Sequence, residues 1–188
     1  GYNIVTIPAA LLVPETSGWF QKPIKSVDDL KGMKMRFYGL GGQAMQKLGM
    51  SITLMPSGEL FPALEKKVID ATEFSMPTID RRLGFYKLAK YNYYPGWHQQ
   101  ATFIDLIISK KKWKKLKKGQ QELIKMACMA TIAYSIAEGE ASQGKIVREN
   151  EEKMGVKNMF WSQEMLDTFK KAWEEVAAEQ NAKDPMFK

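Results

Sequence analysis

The chain has 188 residues, of which 45% are hydrophobic, and its formal net charge is +7. It lacks any run of about 18 apolar residues, so the sequence predicts no membrane-spanning helix. Cys128 is the only cysteine, which excludes an intrachain disulfide and a cysteine-based zinc site. Because methionines and alanines surround Cys128 in a helical pattern, we expect a buried structural thiol rather than a nucleophile.

The first half of the chain alternates between strand and helix signals. A predicted strand at residues 4–8 is followed by a loop over 10–25, in which Trp19 and Phe20 are expected to anchor in the core. The further predicted elements are a capped short helix from Ser26 to Gly32, strands at 34–38, 52–55 and 69–74, and helices at 43–48 and 59–67. This β-α-β-α-β order is typical of a parallel α/β lobe, whose strand C-terminal ends line one edge of the sheet.

The second half is mostly helical. Its predicted elements are a helix at 80–89, a strand at 103–109, a long helix at 119–154 with kinks at Gly139 and Gly144, a strand within 155–160, and a helix that Ser162 caps and that runs to about residue 183. We predict three regions. Residues 1–74 form an α/β ligand-binding lobe that starts with a hinge strand, 75–112 form a crossover segment, and 113–188 form a helical segment that packs back on the lobe.

The positive charge is concentrated in one segment. Residues 110–118 contain seven lysines and no acid, and without them 21 basic residues balance 21 acidic ones. Trp113 and Leu116 are three residues apart among these lysines, which indicates an amphipathic turn whose lysines face water. The pattern favours a solvated surface over a nucleic-acid or membrane site. A basic interaction module that uses Lys110–Lys118 stays open as an alternative.

Two charged residues stand near predicted strand ends. The pattern around Arg36 fits a surface arginine and a bidentate clamp on a carboxylate equally well, because guanidinium geometry matches two oxygens. Glu73 lies among apolar residues and needs a partner, which would be a lysine, a cation or a ligand hydroxyl. Phe74 beside it is either a pocket wall or part of the core.

The remaining motifs offer no catalytic constellation. Residues 93–100 mix aromatic side chains with amides, as pocket linings and packed loops both do. His98 is the only histidine, has no serine, cysteine or second histidine near it in sequence, and is predicted to lie on the surface. Gly39, Gly41 and Gly42 are not followed by the Gly-Lys-Ser/Thr of a phosphate loop. A receptor for a small organic acid is therefore favoured over an α/β enzyme that acts on a carboxylate.

Several spaced motifs together resemble the solute-binding proteins of TRAP (tripartite ATP-independent periplasmic) transporters, above all the branch that binds α-keto acids and related monocarboxylates. The matching segments, which extend over nearly the whole chain, are Gly18-Trp19-Phe20 and residues 27–36, 61–66, 69–73, 83–87 and 93–97. The resemblance implies an α/β fold, a periplasmic-binding-protein-like lobe of type II. Such a lobe has a parallel-type sheet flanked by helices, with hinge-crossing segments and long C-terminal helices. It implies a binding protein and no enzyme.

The resemblance also assigns roles to site residues. It implies that Arg36 grips the carboxylate of a 2-oxo or 2-hydroxy monocarboxylate, and that a sodium or calcium ion bridges this ligand and Glu73. Phe74 stands where the family has a tryptophan that contributes its backbone to the metal, and Trp97 and Gln99 line the cleft. Relatives are often acidic at the position of Gln99, so an amide there weakens the implied metal-ligand set of Glu73, Phe74 and Gln99.

Location and partners follow from the same resemblance. It implies a periplasmic receptor that delivers its ligand to a TRAP membrane permease and has no nucleic-acid partner. A monomer and a homodimer both stay open. Family members are considerably longer, with a whole N-terminal lobe, whereas here residues 1–3 lead straight into a strand without a signal peptide. We therefore expect that the natural beginning is absent, and that one lobe alone binds ligand poorly.

Overall fold

The computed structural model describes residues 2–184 and 186–187. Its strands are β1 (Ile4–Leu12), β2 (Gly18–Phe20), β3 (Lys34–Arg36), β4 (Ser51–Thr53), β5 (Ala71–Thr72), β6 (Tyr91–Tyr94), β7 (Thr102–Ser109) and β8 (Lys157–Phe160). Its α-helices are α1 (Gly39–Lys47), α2 (Ser57–Glu65), α3 (Pro77–Leu83), α4 (Lys110–Trp113), α5 (Lys118–Met154) and α6 (Gln163–Lys183). Short 3-10 helices cover Val27–Leu30 and Phe85–Lys87. Among the described residues, no helix combines the length and apolarity that a membrane crossing requires.

Most strands form one mixed sheet in the order β4-β3-β5-β2-β6-β8. β3 pairs in parallel with β4 and β5, and β6 pairs in parallel with β8. β2 runs antiparallel to both of its neighbours, β5 and β6. The sheet is therefore mostly parallel, and the predicted α/β class is confirmed.

The central strand β2 lies where the sequence predicted a loop, and that prediction is wrong. All three of its residues are buried, because adjacent side chains of a strand point to opposite faces and both faces here are covered. Trp19 packs in one cluster with Leu60 and Leu64 of α2, and Phe20 packs in the other with Phe169 of α6. The prediction that Trp19 and Phe20 anchor in the core is confirmed.

β1 and β7 form a separate antiparallel ribbon, and α5 packs along β1. α5 is helical without interruption through Gly139 and Gly144 and ends at Gly155, whose φ of 67° suits a glycine C-cap. The kinks at these glycines stay a prediction. At Gly139 the structure shows a close approach, because a Cβ there would lie 2.6 Å from Cγ1 of Val13.

Local capping signals located several helix boundaries. Ser26 and Asp29 form the capping box of the first 3-10 helix, and the Ser162 hydroxyl accepts a hydrogen bond from the Met165 N–H at 3.2 Å at the start of α6. The single helix predicted at 80–89 is wrong, because Gly84 adopts a left-handed conformation (φ 78°) and ends α3. Cys128 is buried, as predicted.

Candidate functional site

The site lies at one edge of the six-stranded sheet. β3, β5 and β6 all run toward this edge, whereas β2 starts from it because it is antiparallel to its neighbours. Strand ends therefore bring together Arg36 from β3, Glu73 after β5, Gln99 in the loop after β6, and Glu15 before β2. The sequence had singled out the first three of these residues, and only the antiparallel course of β2 adds the fourth.

Arg36 and Glu73 form a buried ion pair. The Nη1 of Arg36 lies 3.0 Å from Oε2 of Glu73, and the two side chains are 8% and 3% exposed. The same Nη1 donates to the backbone carbonyl oxygen of Glu73 at 2.6 Å, and the Tyr38 N–H donates to Oε2 of Glu73 at 3.2 Å. The two charged groups thus face each other rather than separate surfaces.

The Arg36 guanidinium retains capacity for another acceptor. Its Nε is buried and has no hydrogen-bond partner among the described residues, although a buried donor usually has one. Its Cζ lies 5.1 Å from the ring centroid of Phe74, a distance typical of a cation–π contact. Phe74 in turn packs edge-on against Phe85. The Phe74 ring therefore contacts the guanidinium of Arg36, while the Nε of Arg36 remains able to donate a hydrogen bond.

Glu15 and His98 lie beside Glu73, which the sequence analysis did not foresee. These three residues are here called the acidic group. Glu15 is 5% exposed, and Nε2 of His98 lies 3.7 Å from Oε2 of Glu15 and 3.7 Å from Oε1 of Glu73. One potential ligand atom from each of these three residues lies within 4.8 Å of the others. Oε2 of Glu15 has no hydrogen-bond partner within the described part of the chain. Because the three ligand atoms lie this close together, one cation could contact all of them at once.

The prediction of a surface histidine is wrong. The His98 side chain is 5% exposed, and its ring packs against Phe37 and Trp97 at centroid distances of 4.7 and 5.7 Å. A single histidine carries no periodic signal, so its sequence neighbours could not reveal this burial. Glu15 left a weak signal, since it is an acid in a short polar stretch directly before the apolar Trp19-Phe20 pair.

Gln99 and Trp97, the sequence neighbours of His98, make different contacts. Nε2 of Gln99 donates to Oε1 of Glu15 at 2.8 Å, and the Glu15 N–H donates to the Gln99 carbonyl oxygen at 3.3 Å. The aromatic neighbours of Trp97 are Phe37, His98 and Phe169. Trp97 also bounds a cavity of about 340 Å³, together with His98, Leu166, Lys170 and Trp173. The structure therefore joins Gln99 directly to the acidic group and Trp97 only through His98.

Burial and neighbouring charge shift the proton affinities of this group. Burial raises the pKa of Glu15, the nearby Glu73 carboxylate adds to this, and His98 partly offsets it. Burial would lower the pKa of His98, but the carboxylates of Glu15 and Glu73 outweigh it and the pKa is raised. Burial also raises the pKa of Asp80 well above its usual range, while the Trp19 indole opposes the rise. The site thus contains more carboxyl groups than cations to balance them.

Asp80 should make the fold less stable as pH rises. Its carboxyl is fully buried, Oδ2 accepts from the Trp19 indole N–H at 2.8 Å, and Oδ1 has no hydrogen-bond partner in residues 2–184 and 186–187. A raised folded-state pKa favours folding below the unfolded value of 3.8, and this contribution is lost as pH rises through the folded pKa. We expect Asp80→Asn, which keeps an acceptor for Trp19 but does not titrate, to gain melting temperature over the unsubstituted protein progressively above pH 4.

Circular dichroism melts from pH 4 to 8 would measure this difference. As the control, Asp80→Leu removes the acceptor and should destabilise the fold by about 1–3 kcal/mol at every pH, because it orphans a buried donor. A melting-temperature difference between Asp80→Asn and the unsubstituted protein that stays constant with pH would contradict the raised pKa.

Comparison with known proteins places this fold among binding proteins. Residues 14–184 match the family model described as "DctP: Bacterial extracellular solute-binding protein, family 7". The chain therefore belongs to family 7 of the bacterial extracellular solute-binding proteins, and the resemblance inferred from its motifs is confirmed. Its relatives are solute-binding proteins rather than enzymes, and their names place them outside the cytoplasm.

Individual relatives share the whole of this chain. The monocarboxylate 2-oxoacid-binding periplasmic protein all3028 of Nostoc sp. is 36% identical over 187 residues, which is 100% of this chain and 51% of that protein. A TRAP transporter solute-binding protein of Bordetella bronchiseptica is 35% identical, with a TM-score of 0.92 over 99% of this chain and 55% of its own. Its structure is a dimer with calcium and picolinate in one site.

A further solved relative carries a different cation. The TRAP periplasmic solute-binding protein of Pseudoalteromonas atlantica is 34% identical, has a TM-score of 0.89 over 99% of this chain and 56% of its own, and binds sodium and pyruvate. The chain spans about half the length of these relatives.

Proposed function

We propose that this chain supplies one lobe of an extracytoplasmic receptor that captures a small 2-oxo or 2-hydroxy monocarboxylate for a TRAP membrane permease. The observation that carries the proposal is the buried pair of Arg36 and Glu73 at the sheet edge, with Glu15 beside it. A guanidinium supplies the donor for a carboxylate, and the adjacent acids supply the oxygens for a bridging cation. The ligands named for the Nostoc and Pseudoalteromonas relatives belong to the same chemical class.

Arg36 would fix the ligand carboxylate. Its Nε is buried without a partner, and a charge-assisted hydrogen bond there contributes about 1.5–3 kcal/mol. Its Nη1 is already held by Glu73, which fixes the guanidinium before the ligand arrives. Phe74 beside the guanidinium and Trp97 beside His98 would line the apolar side of the cleft.

The residues of the acidic group fit a calcium or sodium ion. We propose that Glu73, the Phe74 backbone carbonyl, Gln99 and Glu15 would hold it, since hard cations take oxygen ligands. The observation in favour is the buried Oε2 of Glu15, which has no hydrogen-bond partner among the described residues, because nearly every buried polar atom has a partner. When bound, the ion would supply positive charge for the ligand oxygens.

Glu15 also offsets the departure at residue 99. The family resemblance implies an acid at that position, and Gln99 would then remove a carboxylate from the site. Its amide donates instead to Oε1 of Glu15, so the carboxylate stands one hydrogen bond away on a different strand end. We infer that the charge needed for the cation has been moved rather than lost.

We propose that residues 1–74 and 113–188 build the lobe and that the crossing within 75–112 is made by its last part. β6 of this segment belongs to the main sheet, whereas β7 pairs with β1 in the separate ribbon, which would lead toward the second wall of the cleft. Ligand would favour the closed arrangement of two lobes through its higher affinity for that state. We further propose a periplasmic location and, from the Bordetella dimer, a homodimer.

Thermal shift of the full-length protein with millimolar organic acids tests this function. We expect pyruvate and lactate to raise the melting temperature in calcium or sodium and to lose much of this effect when the cation is removed, because a ligand stabilises only the state that it binds. Neutral sugars and amines serve as controls that should produce no shift. Stabilisation by none of the organic acids, or turnover of any of them, would contradict a receptor.

A further inference from the structure

The lysine run forms an exposed cluster at the end of the β1–β7 ribbon. Its seven lysines, here called the lysine patch, are Lys110, Lys111, Lys112, Lys114, Lys115, Lys117 and Lys118, and all are exposed. Trp113 and Leu116 are half-buried beneath them. The backbone N–H of Lys110 donates to the Asn3 carbonyl oxygen at 3.0 Å, which ties the patch to the start of β1. Nothing in the proposed ligand site uses this surface.

The lysine patch opposes the stability of the helices that carry it. α4 begins at Lys110, and α5 begins at Lys118 with Lys117 as its N-cap; neither helix has an acid in its first turn. A helix N-terminus carries partial positive charge and favours acids, and like charges three or four residues apart repel each other. No ion pair within the described part of the chain relieves these lysines. Such local conflicts are expected where a surface serves binding.

Large apolar side chains stand exposed next to the lysine patch. Ile107, three residues before Lys110 on β7, is 63% exposed. Leu123 and Met126, on the second and third turns of α5, are 67% and 66% exposed. Lysines bordered by exposed apolar side chains are typical of protein surfaces that lie on a bilayer interface. The patch thus combines diffuse positive charge with side chains that can enter a headgroup layer.

The sequence pattern by itself favoured a solvated surface; from the exposed apolar side chains beside the lysines we propose instead that the lysine patch docks this protein on the surface of an anionic phospholipid bilayer. All cations of the patch are lysines, which are compact point charges, whereas bidentate recognition of defined phosphate groups favours arginine. A charged lipid surface requires no fixed donor geometry and rewards each lysine separately. Docking would concentrate the receptor at the membrane where a permease is embedded, but it does not depend on the ligand site.

Vesicle co-sedimentation of the full chain tests the docking. We expect binding to vesicles of phosphatidylcholine mixed equally with phosphatidylglycerol, none to phosphatidylcholine alone, and release at high salt through screening. Inorganic phosphate should release the protein no more than chloride of equal ionic strength, which separates a lipid surface from a site for free phosphate. Neutralising Lys110, Lys111, Lys112 and Lys114 to glutamine should weaken binding by several hundredfold, at about fivefold for each lysine.

A matched variant carries the same net charge but keeps the patch. Lys22, Lys66, Lys145 and Lys171 are exposed lysines outside it, and their replacement by glutamine should weaken binding by only a few-fold. The patch variant should also melt at the same temperature or higher, because like-charge repulsion is relieved. Equal weakening by both variants, no binding to phosphatidylglycerol, or retention on polyglutamate without binding to vesicles would each overturn the proposal.

Discussion

Replacing Arg36 with lysine should weaken the binding of pyruvate by about 10- to 150-fold, the loss of one charge-assisted hydrogen bond. Lysine keeps the positive charge but lacks the planar fork that reaches an acid and a ligand at the same time. In this structure Nη1 is engaged by Glu73 while Nε has no partner. A lysine ammonium that stays with Glu73 would leave the ligand carboxylate without its donor.

Lysine is a sharper test than alanine at this position. Arg36→Ala would leave the buried Glu73 carboxylate unpaired, which costs about 3–5 kcal/mol of stability and confuses folding with binding. Arg81→Lys is the matched control, because Arg81 forms an ion pair with Glu149 on α5 at 2.5 Å, away from the acidic group. Titration calorimetry of the full-length protein with pyruvate in calcium would measure both variants. Unchanged affinity in Arg36→Lys would remove Arg36 from the site.

Replacing Glu15 with glutamine should abolish most of the calcium-dependent stabilisation, with a loss of calcium affinity on the order of a hundredfold. The substitution keeps size and the capacity to hydrogen-bond Gln99 but removes one of the carboxylates that face the cation position. The affinity of an oxygen site for calcium depends on how many charged ligands it has. Thermal shift against calcium concentration measures the effect directly.

Gln99, which donates a hydrogen bond to Glu15, allows a second test by exchange of the two side chains. If charge has been moved from residue 99 to residue 15, the double exchange Glu15→Gln with Gln99→Glu should restore calcium binding to near that of the unsubstituted protein. Glu59→Gln, which removes an exposed acid from the first turn of α2, is the control and should leave calcium binding unchanged. A Glu15→Gln protein with undiminished calcium dependence would show that Glu15 is no ligand.

Local signals predicted much of this fold. Ser26 and Ser162 cap helices where their spacing indicated, and the alternation of strands and helices gave the parallel order of β3, β4 and β5. Such signals rest on interactions within a few residues, so they survive in any tertiary context. β2 escaped prediction because a three-residue strand that is buried on both faces shows no alternation.

The sequence by itself determined the class of fold, the family motifs, and the placement of Arg36 and Glu73 at strand ends that share one edge. Only the tertiary structure decided that Glu15 and His98 join them, that Gln99 bonds to Glu15, and that His98 is buried. These contacts connect residues up to 84 positions apart. They depend on the antiparallel strand β2, which no local sequence pattern predicted. Proximity of that kind depends on the order and direction of strands in the sheet, which side-chain periodicity along one segment does not encode.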